Sequence, residues 1–403
     1  MTSVAEAQSL ILAEARGFGI ERVSLEKSFG RVLAQDVVAD RDYPPFNRAT
    51  MDGYAVVAKA YSAANAYEVT KTILAGDTQR SRTMKKRGES AIKIMTGAAV
   101  PPPFDAVIRR EDAHEDSGTV RFDLPAVGAW HNIARQGEDL KAREKIATKG
   151  SVIDGALASF LASLGNDRPA VAKLPRVAIV TTGREVVPGG KKPKPHEIRN
   201  ANLFALRALL IEYNIASVRT LHVVDDRKQI SRAIAAHLDC DILLLTGGVS
   251  AGDSDFVPEV LAEHGVKKIF HKVAMKPGKP LWFGARRKTA VFAIPGNPFS
   301  CQVVVKIFVA PFLRRALGLP PAHEFSLPLQ RARQKKDTLQ HYFPVRLVAP
   351  GVAASSGSLE AISFNSSGDV RAALFSNGIA RHPAEATTVG AGALVDFLPW
   401  RVL

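Results

Sequence analysis

The chain has 403 residues, and 54 lysines and arginines against 39 aspartates and glutamates give it a formal net charge of +15. An apolar fraction of 46% and a charged fraction of 23% exclude a disordered chain, which would be poorer in apolar residues. At about 150 residues per domain, the length predicts two or three domains.

Membrane and secreted classes are disfavoured. The longest strongly apolar stretch, 303–313, contains Lys306 and Pro311 and is shorter than the roughly 20 residues that a membrane span needs. No basic segment followed by an apolar one opens the chain, so no secretory signal is expected. Cys240 and Cys301 have neither disulfide-framework nor zinc-site spacing, and we expect a reducing, cytoplasmic location.

The positive charge leaves three classes of partner open, namely nucleic acid, an acidic membrane surface and small anionic ligands. The basic residues fall in short, scattered runs such as 85–87, 286–288 and 331–336, without the interleaved aromatics of a base-stacking surface. We therefore expect mostly solvated surface charge, with no nucleic-acid and no membrane partner.

The first half of the chain predicts a helix and then β structure. Ser3 and Glu6 form a capping box, and Val4, Ala7 and Ile11 recur at helical spacing. A short strand is predicted over 31–38. From 47 to 140, short apolar runs alternate with Gly, Pro and Asp, which predicts a small β domain with a barrel or sandwich core, and one helical run follows over 156–164.

From residue 176 the pattern becomes β, α, β, α. Apolar strands over 177–180, 221–224 and 242–245 alternate with helical patterns and glycine-bearing turns, which predicts a parallel three-layer α/β domain. A long apolar helix over 298–317 ends it. After 319–321, short strand-like runs predict a second small β domain.

Candidate site residues follow two of the predicted strands, at 182–185 and 246–255. Gly247, Gly248 and Gly252 lie in six residues at a strand end and can present backbone N–H groups to an anion; a plain strand-to-helix turn is the alternative. The segment is neither a P-loop nor a dinucleotide fingerprint. Acidic residues at the same edge could surround Mg²⁺ or could be helix N-caps: Glu185, Asp225, Asp226, Asp253 and Asp255.

Two further segments could meet an anion. Lys276 and Lys279 flank a Pro-Gly turn that can aim both ammonium groups at one ligand, although a solvated basic turn is equally consistent. Asn297 and Pro298 begin a helix as N-cap and first residue; its free N–H groups are a second candidate anion platform, and a well-capped helix is the simpler interpretation. The histidines do not cluster, which disfavours a zinc enzyme or a serine-type hydrolase.

In order along the chain, these segments resemble the MoeA-type molybdopterin molybdotransferases, the family that includes the E domains of gephyrin and plant Cnx proteins. The resemblance runs from about residue 30 to 317 and is weak in the C-terminal domain, mainly at 367–369 and 377–378. The matching segments are Pro45-Phe46, Met51-Asp52-Gly53-Tyr54-Ala55-Val56, Ile94-Met95-Thr96-Gly97-Ala98 with Pro101 and 105–107, Arg135-Gln136-Gly137-Glu138-Asp139, Thr182-Gly183-x-Glu185, Asn200-x-Asn202, 246–255, 276–280 and 295–298.

The resemblance implies an enzyme of molybdenum cofactor biosynthesis that inserts molybdate into adenylylated molybdopterin and releases AMP. The implied fold is multidomain α/β plus β, and the implied assembly is a homodimer with active sites between subunits. Candidate partners are a MogA-type adenylyltransferase and downstream molybdoenzyme maturation partners. The implied domains are an elongated helix–strand segment (1–46 and 141–173), a β-barrel-like insert (47–140), a MogA/MoaB-like three-layer α/β domain (174–318) and a C-terminal β-barrel domain (319–403).

Roles carried over by resemblance fall into three groups. Glu185 and Asp255 would be catalytic acidic groups that help to hold Mg²⁺, and Asp52 and Lys279 would also be catalytic. Asp52, Thr96 and Asp139 would reach the site from the β insert of the partner subunit. The residues expected to bind adenylylated molybdopterin or molybdate are Thr96, Asp139, Gly247, Gly248, Ser250, Gly252, Lys276, Pro295 and Asn297.

This sequence departs from the family pattern at three places. Arg184 stands where the family usually has Asp, Ala49-Thr50 replaces a common Ser-Ala, and the usual Gly-Arg-x-x-Phe is absent around 337–346. Arg184 supports the alternative of a catalytically impaired paralogue that binds the cofactor or acts as a scaffold. The retained acidic and lysine residues favour the enzyme.

Overall fold

The computed structural model describes residues 1–77, 89–249, 256–323, 325–349 and 357–401. The chain divides into two compact units, each with its own sheets and hydrophobic cores. The main unit comprises Met1–Gln35, Lys149–Ala158 and Asp167–Leu403. The inserted unit comprises Asp36–Thr148 and Ser159–Asn166.

The main unit contains a six-stranded sheet, here called the α/β sheet, whose central strands are buried on both faces because they consist of apolar and small residues. The sequence predicts a parallel sheet, but only three of the five strand pairs are parallel, because Trp282–Arg286 pairs antiparallel with both of its neighbours. The turn at Arg287, with φ +55°, is too short for a parallel crossover. In spatial order the strands are Val218–Val223, Val177–Thr182, Ile242–Thr246, Thr289–Ile294, Trp282–Arg286 and Lys267–His271.

Helices bury apolar residues against both faces of the α/β sheet. One core contains Phe292 and Phe312, which pack edge to face at 5.4 Å, and the other contains Ile230 and Trp282. Each such buried side chain contributes about 1.5–3 kcal/mol to stability. The predicted helix over 298–317 forms three consecutive segments, the middle one π-helical. The helices of the main unit include Val4–Glu14, Ala201–Glu212, Arg227–Ala235, Val257–Glu263, Pro298–Val304, Val305–Val309, Ala310–Leu317 and Arg371–Leu374.

The N-terminal helix follows the sequence prediction closely. Ser3 Oγ accepts a hydrogen bond from the Glu6 N–H at 3.2 Å, and Val4, Ala7 and Ile11 are buried on one side. A further helix, Gly155–Ser163, forms where the pattern over 156–164 predicts one. Within the described ranges, no helix is both long and apolar enough to cross a membrane.

A second six-stranded sheet, here called the C-terminal sheet, forms in the main unit where short strand-like runs are predicted. Its core includes Phe343, Val345 and Leu359. Met275–Lys276 pairs in parallel with Gln340–His341, so the predicted lysine segment is hydrogen-bonded to the C-terminal strands. The strands are Met275–Lys276, Gln340–Val348, Gly378–His382, Leu394–Pro399 and Phe325–Pro328, with Ser358–Ala361 beside Gln340–Val348.

The inserted unit contains a third six-stranded sheet, and its strands include the predicted apolar runs. Separate clusters cover its faces, one around Ile92 and Val107 and one around Tyr54 and Phe122. Closure into a barrel stays a prediction. The predicted strand over 31–38 is shorter than expected, since only Val37–Val38 forms a strand. In order the sheet strands are Ala106–Arg109, Gly53–Val56, Ser90–Ile94, Tyr67–Ile73, Thr119–Phe122 and Ala113–Asp116.

Candidate active site

A cavity of about 410 Å³ lies at the carboxyl ends of the parallel strands in the α/β sheet. Ligands bind at this edge of open sheets because the strand-to-helix loops converge there. The structure thus brings together segments that are more than 100 residues apart in sequence. The predicted site residues that line the cavity are Glu185, Gly247, Gly248, Pro295 and Asn297.

The turn at Gly247 and Gly248 follows a central strand of this sheet and requires glycine. Both residues have positive φ, +95° and +65°, and a Cβ at position 247 would lie only 2.5 Å from Thr182 Oγ1. The Gly247 N–H donates to Ile294 O at 3.2 Å, whereas the Gly248 N–H has no acceptor among the described residues. The Gly247 N–H thus already has a backbone partner, and its part in an anion cradle stays a prediction. Ser250 and Gly252 lie outside the described residues.

The acidic residues at this edge have different roles. The Glu185 carboxylate lines the cavity and accepts no hydrogen bond from the described part of the chain, so it fits a ligand for a hard cation. Asp226 instead caps a helix by accepting from the Gln229 N–H at 2.9 Å, as the alternative interpretation predicted. Asp225 accepts from the Arg184 N–H at 3.2 Å.

The metal site itself stays a prediction. Within the described ranges, no group of three or more His, Cys, Asp or Glu side chains is arranged to hold an ion. Asp253 and Asp255, which the sequence places beside Glu185, lie outside those ranges.

The lysine segment approaches the cavity through its last residue. Pro280 belongs to the lining, which in the described part of the chain includes neither Lys276 nor Lys279. Lys276 is 64% exposed and pairs with Asp337 on the C-terminal side, at 3.9 Å. Gly278 turns the chain at φ +104°, where a Cβ would meet Val304 at 2.8 Å, so the Pro-Gly turn is fixed by packing.

The helix that begins at Pro298 does not offer the free N–H groups that the sequence suggests. The N–H groups of Phe299 and Ser300 both donate to Ser367 O, at 3.1 and 3.3 Å. Asn297 occupies the N-cap position, but its side chain makes no cap hydrogen bond and donates to Ser367 Oγ at 2.8 Å. The loop at Ser367 already satisfies these donors, which agrees with the simpler interpretation of a well-capped helix, and ligand binding at Asn297 stays a prediction.

In the inserted unit, the structure joins two of the three predicted residues. Asp52 Oδ1 accepts hydrogen bonds from the Thr96 N–H and hydroxyl, both at 2.7 Å, and these bonds hold the pKa of Asp52 below its usual value. The next residue, Gly53, has to be glycine because a Cβ there would lie 1.9 Å from Ile108 O. Asp139 is exposed on another loop and is not bonded to this pair.

Family models match both parts of the chain. The MoeA N-terminal region (domain I and II) matches residues 2–165, and the probable molybdopterin binding domain matches residues 178–315. The molybdopterin molybdenumtransferase of Synechocystis sp. is 32% identical over 99% of this chain and 100% of its own length. The chain belongs to the MoeA family.

Other relatives agree with this assignment. A molybdopterin molybdenumtransferase of Synechococcus elongatus is 33% identical over 87% of this chain and 89% of its own length. The crystal structure of the molybdopterin biosynthesis MoeA protein from Pyrococcus horikoshii matches with a TM-score of 0.83 and 26% identity, covering 100% of this chain and 99% of that one. The MoeA resemblance and the MoeA fold expected from the sequence are confirmed.

Two asparagines of this MoeA-family chain have roles that sequence patterns leave open. Asn202 Nδ2 donates to Thr246 Oγ1 at 3.0 Å and to Gly296 O at 2.7 Å. A carbonyl oxygen only accepts, so the amide nitrogen faces Gly296, and no described residue donates to Asn202 Oδ1 at the cavity. Asn200 is structural, because it caps a helix at Leu203 and donates to Thr181.

Arg184, which stands where the family usually has Asp, contacts Asp225. Its N–H and guanidinium contact Asp225, through Oδ2 at 3.2 Å and the carbonyl oxygen at 3.4 Å. The positive side chain therefore lies against an acidic residue that lines the cavity, whereas the Glu185 carboxylate makes no ion pair with the described residues.

Proposed function

We propose that this chain inserts molybdate into adenylylated molybdopterin, releasing AMP and forming molybdenum cofactor. The observation that carries the proposal is its similarity, over essentially the full length, to a protein named molybdopterin molybdenumtransferase. The function lies in molybdenum cofactor biosynthesis, and the chain acts as a transferase.

The polar groups of the cavity suit the phosphate and heterocyclic parts of such a ligand. The substrate carries a pterin phosphate joined to AMP, so it presents anionic oxygens and heterocyclic N–H groups. The unpaired Gly248 N–H would bind an anionic oxygen, and Asn202 Oδ1 would accept from a ring N–H. Lys276 and Lys279 would contact phosphate or molybdate from the adjoining segment, with Pro295 and Asn297 at the wall of the cavity.

The reaction breaks the P–O bond that joins AMP to the pterin phosphate, and charge develops on the phosphate oxygens. Donors and charges that are fixed beforehand stabilise this charge without reorganising. Glu185 fits one ligand of Mg²⁺, and Asp255 would supply another. When bound, Mg²⁺ supplies charge neutralisation at the phosphates. A molybdate oxygen or a water would attack at this P–O bond as it breaks.

We further propose a cytoplasmic homodimer in which each site combines the main unit of one subunit with the inserted unit of its partner. Asp52, held by Thr96, would then face the ligand together with Asp139. The exposure of these carboxylates and the fixed orientation of Asp52 support this assignment. A MogA-type adenylyltransferase is the candidate supplier of substrate, and molybdoenzyme maturation partners would take the product.

The direct test incubates purified protein with adenylylated molybdopterin and Mg²⁺, with and without molybdate, and follows AMP release. We expect AMP release to require molybdate and Mg²⁺, and to fall at least about a hundredfold in Glu185→Gln and Asp255→Asn because each removes a charged ligand. Glu259→Gln is the matched control, since this exposed carboxylate lies on a helix outside the cavity lining.

Two results would contradict the proposal in different ways. Wild-type protein that binds adenylylated molybdopterin but releases no AMP with molybdate would be the cofactor-binding or scaffolding paralogue. Full activity in Glu185→Gln would leave the enzyme intact but remove the role assigned to that residue.

A further inference from the structure

Thr182 ends the strand Val177–Thr182 and lines the cavity, but none of the roles above is assigned to it. The residue is 6% exposed, and its Oγ1 is buried without a hydrogen-bond partner in the described part of the chain. A buried hydroxyl in this state has lost its bonds to water and gained none in return. Native proteins rarely keep such a group, so its presence at a ligand cavity is informative.

The preceding residue provides the contrast within the same strand. Thr181 Oγ1 accepts from Asn200 Nδ2 at 2.8 Å and lies 2.9 Å from His222 Nδ1. Successive side chains of a strand point to opposite faces, so the two hydroxyls have different surroundings. Within the described residues, one threonine hydroxyl of this strand therefore has hydrogen-bond partners and the next one has none.

The unpaired hydroxyl borders the glycine turn of the cavity. A Cβ added at Gly247 would lie 2.5 Å from Thr182 Oγ1, and one added at Gly248 would lie 3.5 Å from it. The Gly247 N–H already donates to Ile294 O and does not donate to Thr182 Oγ1. Two donors without a partner among the described residues, the Thr182 hydroxyl and the Gly248 N–H, therefore lie at the same turn.

We propose that the Thr182 hydroxyl donates a hydrogen bond to the anionic ligand group that the Gly248 N–H binds. The ligand class is a phosphate or phosphoanhydride oxygen, and the inference rests on the proposed function because it adds a contact to the same site. Because Thr182 Oγ1 is buried, the proposed contact requires the turn at Gly247 and Gly248 to move outward when the ligand group enters. Glycine at both positions permits this movement because no Cβ is packed against the strand.

The test compares Thr182→Val and Thr182→Ser with wild type. Valine keeps the shape and removes a hydroxyl that has no partner, so we expect an equal or higher melting temperature. The same variant should bind adenylylated molybdopterin, measured with Mg²⁺ and without molybdate, about tenfold to a hundredfold more weakly, as for a lost hydrogen bond to a charged group. Thr182→Ser should stay close to wild type in affinity.

Thr181→Val is the matched control, because it removes a hydroxyl that does have partners and should lower the melting temperature. Unchanged affinity in Thr182→Val would overturn the proposal, and so would a lower melting temperature in that variant, since it would reveal a partner within the protein. If wild type releases no AMP with molybdate, the proposed function fails. AMP alone then serves as the binding probe, and an equal affinity of wild type and Thr182→Val for AMP would still refute the Thr182 contact.

Discussion

Lys276 Nζ lies 3.9 Å from a carboxylate oxygen of Asp337, which belongs to the turn that leads into the C-terminal strand Gln340–Val348. The strand pairing of Lys276 with His341 places the two segments side by side. His341 Nε2 lies 2.7 Å from the other Asp337 oxygen, and the Leu339 N–H donates to it at 3.1 Å. Partial burial alone would raise the pKa of Asp337, but these hydrogen bonds and the lysine together lower it. The charged carboxylate is therefore available to orient Lys276.

Replacing Asp337 with Asn should change catalysis more than stability. The ion pair is exposed, so its loss costs less than about 1 kcal/mol of unfolding free energy. If Lys276 contacts the ligand, its looser position should raise the KM for adenylylated molybdopterin about two- to fivefold, with kcat nearly unchanged. Glu360→Gln is the control, because it breaks a similarly exposed ion pair, with Arg346, between two strands of the C-terminal sheet. If Asp337→Asn and Glu360→Gln have the same KM, Asp337 does not position Lys276 for ligand binding.

Close to this ion pair, Arg333 contacts two buried histidines, His341 and His382, and favours their neutral form. Its guanidinium donates to Nδ1 of His382 at 2.9 Å and to Nδ1 of His341 at 3.3 Å. Because arginine only donates, both Nδ1 atoms must be acceptors, and both Nε2 atoms carry the proton. Burial is the main cause that lowers the pKa of each histidine, and the positive charge of Arg333 adds to it.

Stability should therefore decrease as the pH falls below the ordinary histidine pKa of 6.5. The unfolded chain binds these protons before the folded protein does, so the contribution is complete above pH 6.5 and is lost as the pH falls toward the lowered folded-state values. Urea unfolding between pH 7.5 and 5.5 measures the effect. The double variant His341→Gln, His382→Gln should lose much of the dependence over this range, and an unchanged slope would contradict the assignment.

Local sequence pattern predicts three strands of the α/β sheet and the strand ends that line the cavity, but not the strand over 31–38, the antiparallel part of the sheet or the partners of the polar groups. The apolar run ending at Thr182 and the glycines at 247 and 248 predict where a ligand binds. They do not reveal that Ile294 uses the Gly247 N–H, or that Ser367 uses the helix N–H groups. These partners are distant in sequence and are fixed by tertiary packing, which has no local period.

The same limit applies to Asn202, and it leads to a prediction about stability. Asn202→Asp removes two donated hydrogen bonds and places a carboxylate against Gly296 O, so we expect a loss of about 1–3 kcal/mol of unfolding free energy. Asn200→Asp is the matched control, because aspartate still caps the helix at Leu203 and only the bond to Thr181 is lost. Urea unfolding of both variants measures which loses more unfolding free energy. A larger loss in Asn200→Asp would contradict the stabilising role of the two Asn202 hydrogen bonds.

A shared active site between subunits predicts that two inactive variants restore activity when they form mixed dimers. Asp52→Asn removes the predicted contribution of the inserted unit, and Glu185→Gln removes that of the main unit. In a mixed dimer, one of the two sites combines the intact Asp52 of one subunit with the intact Glu185 of its partner. Random exchange of subunits should then recover about a quarter of wild-type activity, since half of the dimers are mixed and each has one complete site.

The measurement is molybdate-dependent AMP release after the two variants are unfolded together and refolded. Each variant refolded alone provides the baseline, and mixing the refolded proteins without exchange should give no recovery. If Asp52 and Glu185 instead acted within one chain, every site of the mixed dimer would still carry one defect. Activity at the baseline despite demonstrated mixed dimers would therefore place both residues in the same subunit's site.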